Sequence, residues 1–154
     1  MNALSEARIQ EELRQAMKNR AAVEVAVLRG LLAAIKNATI ERRSSGGGEL
    51  AEAEIVQIVR REIKQREEAI EFAEQAKRAD LVEKNQAERD VLRGFLPKEV
   101  DRQELRAAIA RHHESGATTI GALMGKLKSE FGARLDGRIA SELIRDFLKE
   151  KGGA

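Results

Sequence analysis

A chain of 154 residues with 42% hydrophobic side chains and a net charge of +2 has enough apolar mass for one core, or one core and a smaller second one, while most of its surface stays charged. It has no cysteine, tryptophan or tyrosine and only four phenylalanines, which excludes disulfides, thiolate catalysis and thiolate metal sites, and argues against a base-stacking platform. No apolar run approaches the roughly 18 residues of a membrane helix, and the acid-bearing start MNALSEARIQEEL is unlike a signal peptide; the expectation is an unprocessed protein with no membrane partner, in a reduced cytoplasm.

The predicted elements are all helices. Residues 3–18 place Ile9, Leu13 and Met17 on one face, with Ala16 beside them and Glu11, Glu12 and Arg14 opposite. A second helix is predicted from about Ala21 to Arg43, with Val23, Val27, Leu31, Ala34, Ile35 and Ala38 on its apolar side, widened by Leu28 and Leu32. That breadth suits more than one neighbour. On its reverse side Arg29, Lys36 and Arg43 recur every seven residues, with Asn37 near their edge.

SSGGG, residues 44–48, supports neither helix nor strand and reads as a loop. From about Leu50 to Ala76 a glutamate-rich start leads into a stripe of Ile55, Val59, Ile63, Ile70 and Ala73. Glu62 and Arg66 fall near the centre of that stripe, four residues apart, so each needs the other or a third polar group. Asp80 and Glu83 have the spacing of a helix cap, which predicts a break between Arg78 and Asp80. The helix after it uses Leu81, Leu92, Phe95 and Leu96 and is expected to end at Leu96, because Pro97 restricts the residue before it.

Beyond Pro97, Asp101 and Glu104 repeat the capping-box spacing, with Val100 and Leu105 placed to form a hydrophobic staple. Residues 102–114 form a helix with Leu105, Ala108, Ile109 and His112 on one side, ended by Gly116. Thr118 or Thr119 caps the next, whose face is Ile120, Leu123, Met124, Leu127 and Phe131, and Gly132 suits a left-handed turn after it. Asp136 caps a last helix carrying Ile139, Leu143, Phe147 and Leu148. No stretch alternates with the period of a strand. The expected fold is all-α: an N-terminal helical domain of about four helices over residues 1–96, then a small three-helix domain over 98–151.

Catalytic motifs are absent from the sequence. His112 and His113 are adjacent and point about 100° apart, a poor geometry for one metal, with His112 on the apolar side and His113 away from it. GGGEL lacks the lysine and hydroxyl residue of a phosphate loop. Arg60, Arg61, Lys64 and Arg66 make one helix locally basic, but they spread around its cylinder. The most distinctive constellation is IGALMGKLKSEFGARLDGRIASELI, residues 120–144. Gly121 and Gly125 lie side by side opposite much of the Leu123 and Leu127 face, with Lys128 on the same side. Bare helix beside a lysine admits a neighbouring helix or a phosphate backbone. Lys126, Arg134 and Arg138 extend the positive character, and the amides of the helix that starts at Gly137 would add an anion-friendly terminus. With few aromatics, folded or double-stranded RNA fits better than splayed bases.

These residues, together with VLRGLLAAIKN at 27–37, REIKQREEAIEFAEQAKRADLVEKNQAE at 61–88 and VLRGFLP at 91–97, closely resemble the YqeY family, over nearly the whole chain and with the motifs in the expected order. The resemblance implies a helical N-terminal domain followed by a three-helix domain similar to the tail of GatB, the amidotransferase subunit whose tail helps to engage tRNA. It implies a non-catalytic tRNA- or RNA-binding accessory, partnered by an amidotransferase or translation-related protein. Two alternatives accompany it: glutamine-dependent carbon–nitrogen ligase activity, and a helical protein-interaction scaffold. The RNA-contacting candidates are Lys126, Lys128, Arg134 and Arg138, with Gly121, Gly125 and Gly137 shaping the backbone; Arg29, Lys36 and Lys64 are secondary. No cofactor or metal is implied, and oligomeric state is not legible.

Overall fold

A computed structural model describes residues 3–152. The described residues form seven α-helices and one short 3-10 turn: α1 (Glu6–Lys18), α2 (Ala22–Ser44), α3 (Glu52–Gln75), α4 (Ala79–Arg93), α5 (Arg102–Glu114), α6 (Ile120–Phe131), the 3-10 turn Gly132–Arg134, and α7 (Gly137–Gly152). The fold is all-α. Two compact units divide at the Leu96–Pro97 bond, Met1–Leu96 and Pro97–Ala154.

In the first unit α1 packs on α2, and α2 also meets α3 and α4, which pair with each other. Its core is built from Ile9, Val27, Leu28, Leu31 and Ile35, the α3 stripe Ile55, Val59, Ile63, Ile70 and Ala73, and Leu92 and Phe95. Met17 and Val23, assigned to apolar faces, are exposed instead. Both lie beside the bend between α1 and α2, Met17 in the last turn of α1 and Val23 in the first turn of α2.

The turns have a common construction. After α1, Arg20 takes a left-handed conformation, φ 54°, and the Ala21 amide reaches back to Ala16 O at 2.9 Å. After α3, Lys77 does the same at φ 55°, with Arg78 N donating to Ala73 O at 2.9 Å. Gly46 and Gly116 play that part after α2 and α5, where Gly47 N meets Arg42 O at 2.8 Å and Ala117 N meets His112 O at 3.0 Å. All four are left-handed caps that satisfy the last carbonyls of a helix.

Two boundary mechanisms differ from expectation. The break between α3 and α4 falls in place, but Asp80 is not the cap: it lies in the first turn of α4 and accepts from Arg78 Nε and Nη2 at 3.0 and 2.9 Å. The left-handed Lys77 turns the chain. Likewise α4 stops at Arg93 and not at Leu96. Gly94 caps it, and the amides of Phe95 and Leu96 make tighter bonds to Leu92 O and Arg93 O, both 3.1 Å, so the chain has left the α-helix before proline acts.

In the second unit the caps are those anticipated. Asp101 accepts from Glu104 N at 2.7 Å, Thr119 from Ala122 N at 3.1 Å, and Asp136 from Arg138 N and Ile139 N at 2.9 and 3.3 Å. One core cluster joins Val100, Leu105, Ala108, Ile109, Leu123, Leu127, Leu143 and Ile144 to half-buried Met124, Phe131, Ile139, Phe147 and Leu148. Ile120, at the first position of α6, stays exposed.

Candidate nucleic-acid interface

With Leu123 and Leu127 buried, α6 turns Gly121 and Gly125 to solvent. Among the described residues, apart from the two adjacent residues and the helix's own backbone, nothing lies within 4 Å of a Cβ placed on either glycine. Lys126 and Lys128 are both exposed, yet at 100° per residue they project about 160° apart. They flank the glycines and do not form one patch: Lys128 borders Gly121, whereas Lys126 is nearer to Glu130.

Arg134 is committed to the fold. Its Nε donates to Lys98 O at 3.2 Å, its Nη2 lies 3.8 Å from the Glu104 carboxylate, and its own carbonyl accepts from Val100 N at 3.1 Å. It ties the 3-10 turn to the segment that enters α5. Arg138 is exposed on the outer side of α7. That side carries Arg145 and Lys149 about two and three turns on, and a shallow recess is lined by Arg138, Ser141, Glu142, Arg145 and Asp146. The sequence reading missed Arg145 and Lys149, although their spacing of seven and eleven from Arg138 signals one helical face. The start of α7 at Gly137 offers no anion site, because the Asp136 carboxylate already occupies its leading amides.

The histidines belong to packing. Glu130, near the end of α6, accepts from Arg111 Nη2 at 2.8 Å and meets His112 Nε2 at 2.7 Å, clasping α5 to α6. The Arg111 guanidinium, then the His112 ring, hold the Glu130 carboxyl below the ordinary value of 4.5. His113, expected to point away, instead packs edge-on against Phe147, with ring centroids 5.2 Å apart, and Lys151 Nζ lies 5.7 Å from the same ring. Phe147 is thus half-buried and engaged by both side chains.

In the first unit Arg29 and Lys36 are exposed on α2 and Lys64 on α3. Arg66 Nη1 lies 3.2 Å from Glu62 Oε1, and a third member that the sequence left unnamed, Glu88 of α4, approaches Arg66 Nη2 at 3.9 Å. These side chains keep only 16 to 19% of their surface exposed. Two open clefts also occur. One, about 440 Å³, lies where α1 begins, between Ser5, Gln10, Thr39 and Arg43; the other, about 460 Å³, lies between α1, α2 and α4, floored by Leu28 and Phe95. Among the described residues no group of three or more His, Asp or Glu side chains is placed to hold a metal ion, and no helix is long and apolar enough to cross a membrane.

The mitochondrial "Altered inheritance of mitochondria protein 41" of Pyrenophora tritici-repentis is 29% identical over 150 residues, covering 94% of this chain and 81% of that protein. Residues 6–148 match the family described as Yqey-like protein. With that match running from the first turn of α1 to near the end of α7, the chain belongs to the YqeY family.

Proposed function

We propose that the protein binds folded RNA, tRNA foremost, as a non-catalytic accessory to an amidotransferase or another component of translation. The observation that carries this reading is the exposed cations of the second unit: Lys128 beside the open glycine side of α6, and Arg138, Arg145 and Lys149 along the outer side of α7. Cations beside accessible backbone suit phosphates, and the scarcity of aromatic side chains favours shape and backbone recognition over base stacking. Without cysteine the chain has no need of an oxidising compartment, and the cytoplasm is the simplest setting, although the fungal relative carries a mitochondrial name.

The test is a titration of the full chain with total tRNA at several salt concentrations. Reversing Lys126, Lys128 and Arg138 to glutamate is expected to weaken binding and to lower the slope of log affinity against log salt, each phosphate contact contributing roughly 0.7 to 0.9. Arg134 is kept, because its loss would disturb the entry to α5. Identical salt slopes for wild type and the reversal would refute the surface assignment. Amide formation from Glu-tRNA, glutamine and ATP by the purified chain alone would replace the accessory reading with an enzymatic one.

A further inference from the structure

A helix on the outside of a bundle ordinarily shows charge to solvent and apolar residues inward. The 23-residue α2 departs from that rule. Its inward side, Val27, Leu28, Leu31, Leu32 and Ile35, is buried against its bundle neighbours. Its outward side is Ala26, Gly30, Ala33, Asn37 and Ile40, all exposed, Ile40 to 60%. The intervals along that line are four, three, four and three, the spacing of a seam that receives a second helix. Alanine alone would be ordinary, since it is the best helix former. Gly30 is not: in mid-helix glycine costs about 1 kcal/mol relative to alanine, and nothing lies within 4 Å of a Cβ built there. No packing among the described residues requires the missing methyl, whereas a close approach from outside would.

Charge identifies the visitor. Arg29, Lys36 and Arg43, all exposed, run along one flank at intervals of seven, the positions that choose partners in paired helices. A second copy is a poor match. Antiparallel pairing sets this flank against itself, cation facing cation, and parallel pairing sets it against the opposite flank, where Val27 is buried and Ala34 and Glu41 supply one carboxylate. We infer that the outer face of α2 docks an amphipathic helix of a partner protein bearing acidic residues along one edge. The site is separate from the RNA surface proposed for the second unit, so either reading survives the failure of the other.

The experiment uses the full chain and three labelled probes followed by fluorescence anisotropy: a synthetic helix with an alanine and leucine seam and glutamates on its flanks, the same helix with lysines in place of the glutamates, and an A-form RNA duplex. The glutamate helix is expected to bind and the lysine helix not. The triple reversal Arg29→Glu, Lys36→Glu, Arg43→Glu should weaken the glutamate helix at least about tenfold and admit the lysine helix. Ala33→Arg separates docking from simple attraction: it adds a cation yet blocks the seam, so it should also weaken the glutamate helix by about tenfold or more. Circular dichroism checks that both variants remain helical. Tighter binding by Ala33→Arg, equal binding of both peptides, or binding of neither would overturn the inference. So would RNA binding that the triple reversal abolishes, or self-association in sedimentation that Ala33→Arg abolishes.

Discussion

Arg66 stands between two carboxylates on different helices, and the three side chains retain under a fifth of their exposure. Removing only the cation leaves Glu62 and Glu88 facing one another without compensation. Arg66→Ala should therefore destabilise the first unit by about 2 kcal/mol, below the 3 to 5 typical of a fully buried pair because some water still reaches the site. Replacing all three by Gln, Met and Gln should restore most of that loss, as the difference in urea midpoints would show; equal losses in both variants would mean that packing and not charge is responsible. The need for a partner was legible in the sequence, since a charge at stripe centre is unaffordable alone. Glu88 was not, because its pairing depends on how α4 lies across α3. Glu130 gives a pH prediction. Its folded value is depressed, so its contribution is present above the ordinary 4.5 and is lost as pH falls through that value toward the folded one. Glu130→Gln should flatten the acid limb of stability below about pH 4.5 and leave its shape at neutral pH unaltered; unchanged acid limbs would show that the clasp to Arg111 and His112 stores nothing.

Helices α1, α2, α3 and α5 end by one device, and the sequence marked only Gly116 among them as a helix end; SSGGG around Gly46 reads as a loop, and Gly132, which suits a left-handed turn, takes φ 54° after α6. Arg20 and Lys77 adopt a left-handed backbone with a side chain that disfavours it. Asp80 drew attention at the second of these because its spacing resembles a cap, though the turn is made three residues earlier. The same competition between local signals misplaced the end of α4: proline marks a boundary strongly, but Gly94 three residues before it already ends the helix. Relief of the two left-handed side chains is measurable. Arg20→Gly and Lys77→Gly should each raise stability by about 0.5 to 1 kcal/mol, visible as a higher melting temperature. A lower melting temperature would mean that the side chains contribute contacts exceeding the backbone relief. The caps that were read correctly, Asp101, Thr119 and Asp136, should each cost about 1 kcal/mol on replacement by alanine.

At the scale of the molecule, two apolar clusters of different size divide the work of folding. Leu31 and Val59 lie wholly within the first, Leu123 and Leu127 wholly within the second. The compact units part at Pro97, where a cap and a proline, both local signals, coincide in the sequence. The surface that a partner touches was less visible, since it depends on azimuth: Lys126 and Lys128 look like a pair in the sequence and prove to face different ways, while Arg145 and Lys149 join Arg138 on a side that composition could not single out. If each cluster stabilises its own unit, a core truncation should be felt locally. Leu31→Ala and Leu127→Ala should each cost about 3 kcal/mol, and hydrogen exchange followed residue by residue should show faster opening of α1–α4 in the first variant and of α5–α7 in the second. A uniform acceleration across all seven helices in either variant would mean that the chain unfolds as one cooperative body, and that RNA bound to the second unit would then protect the first as strongly as its own site.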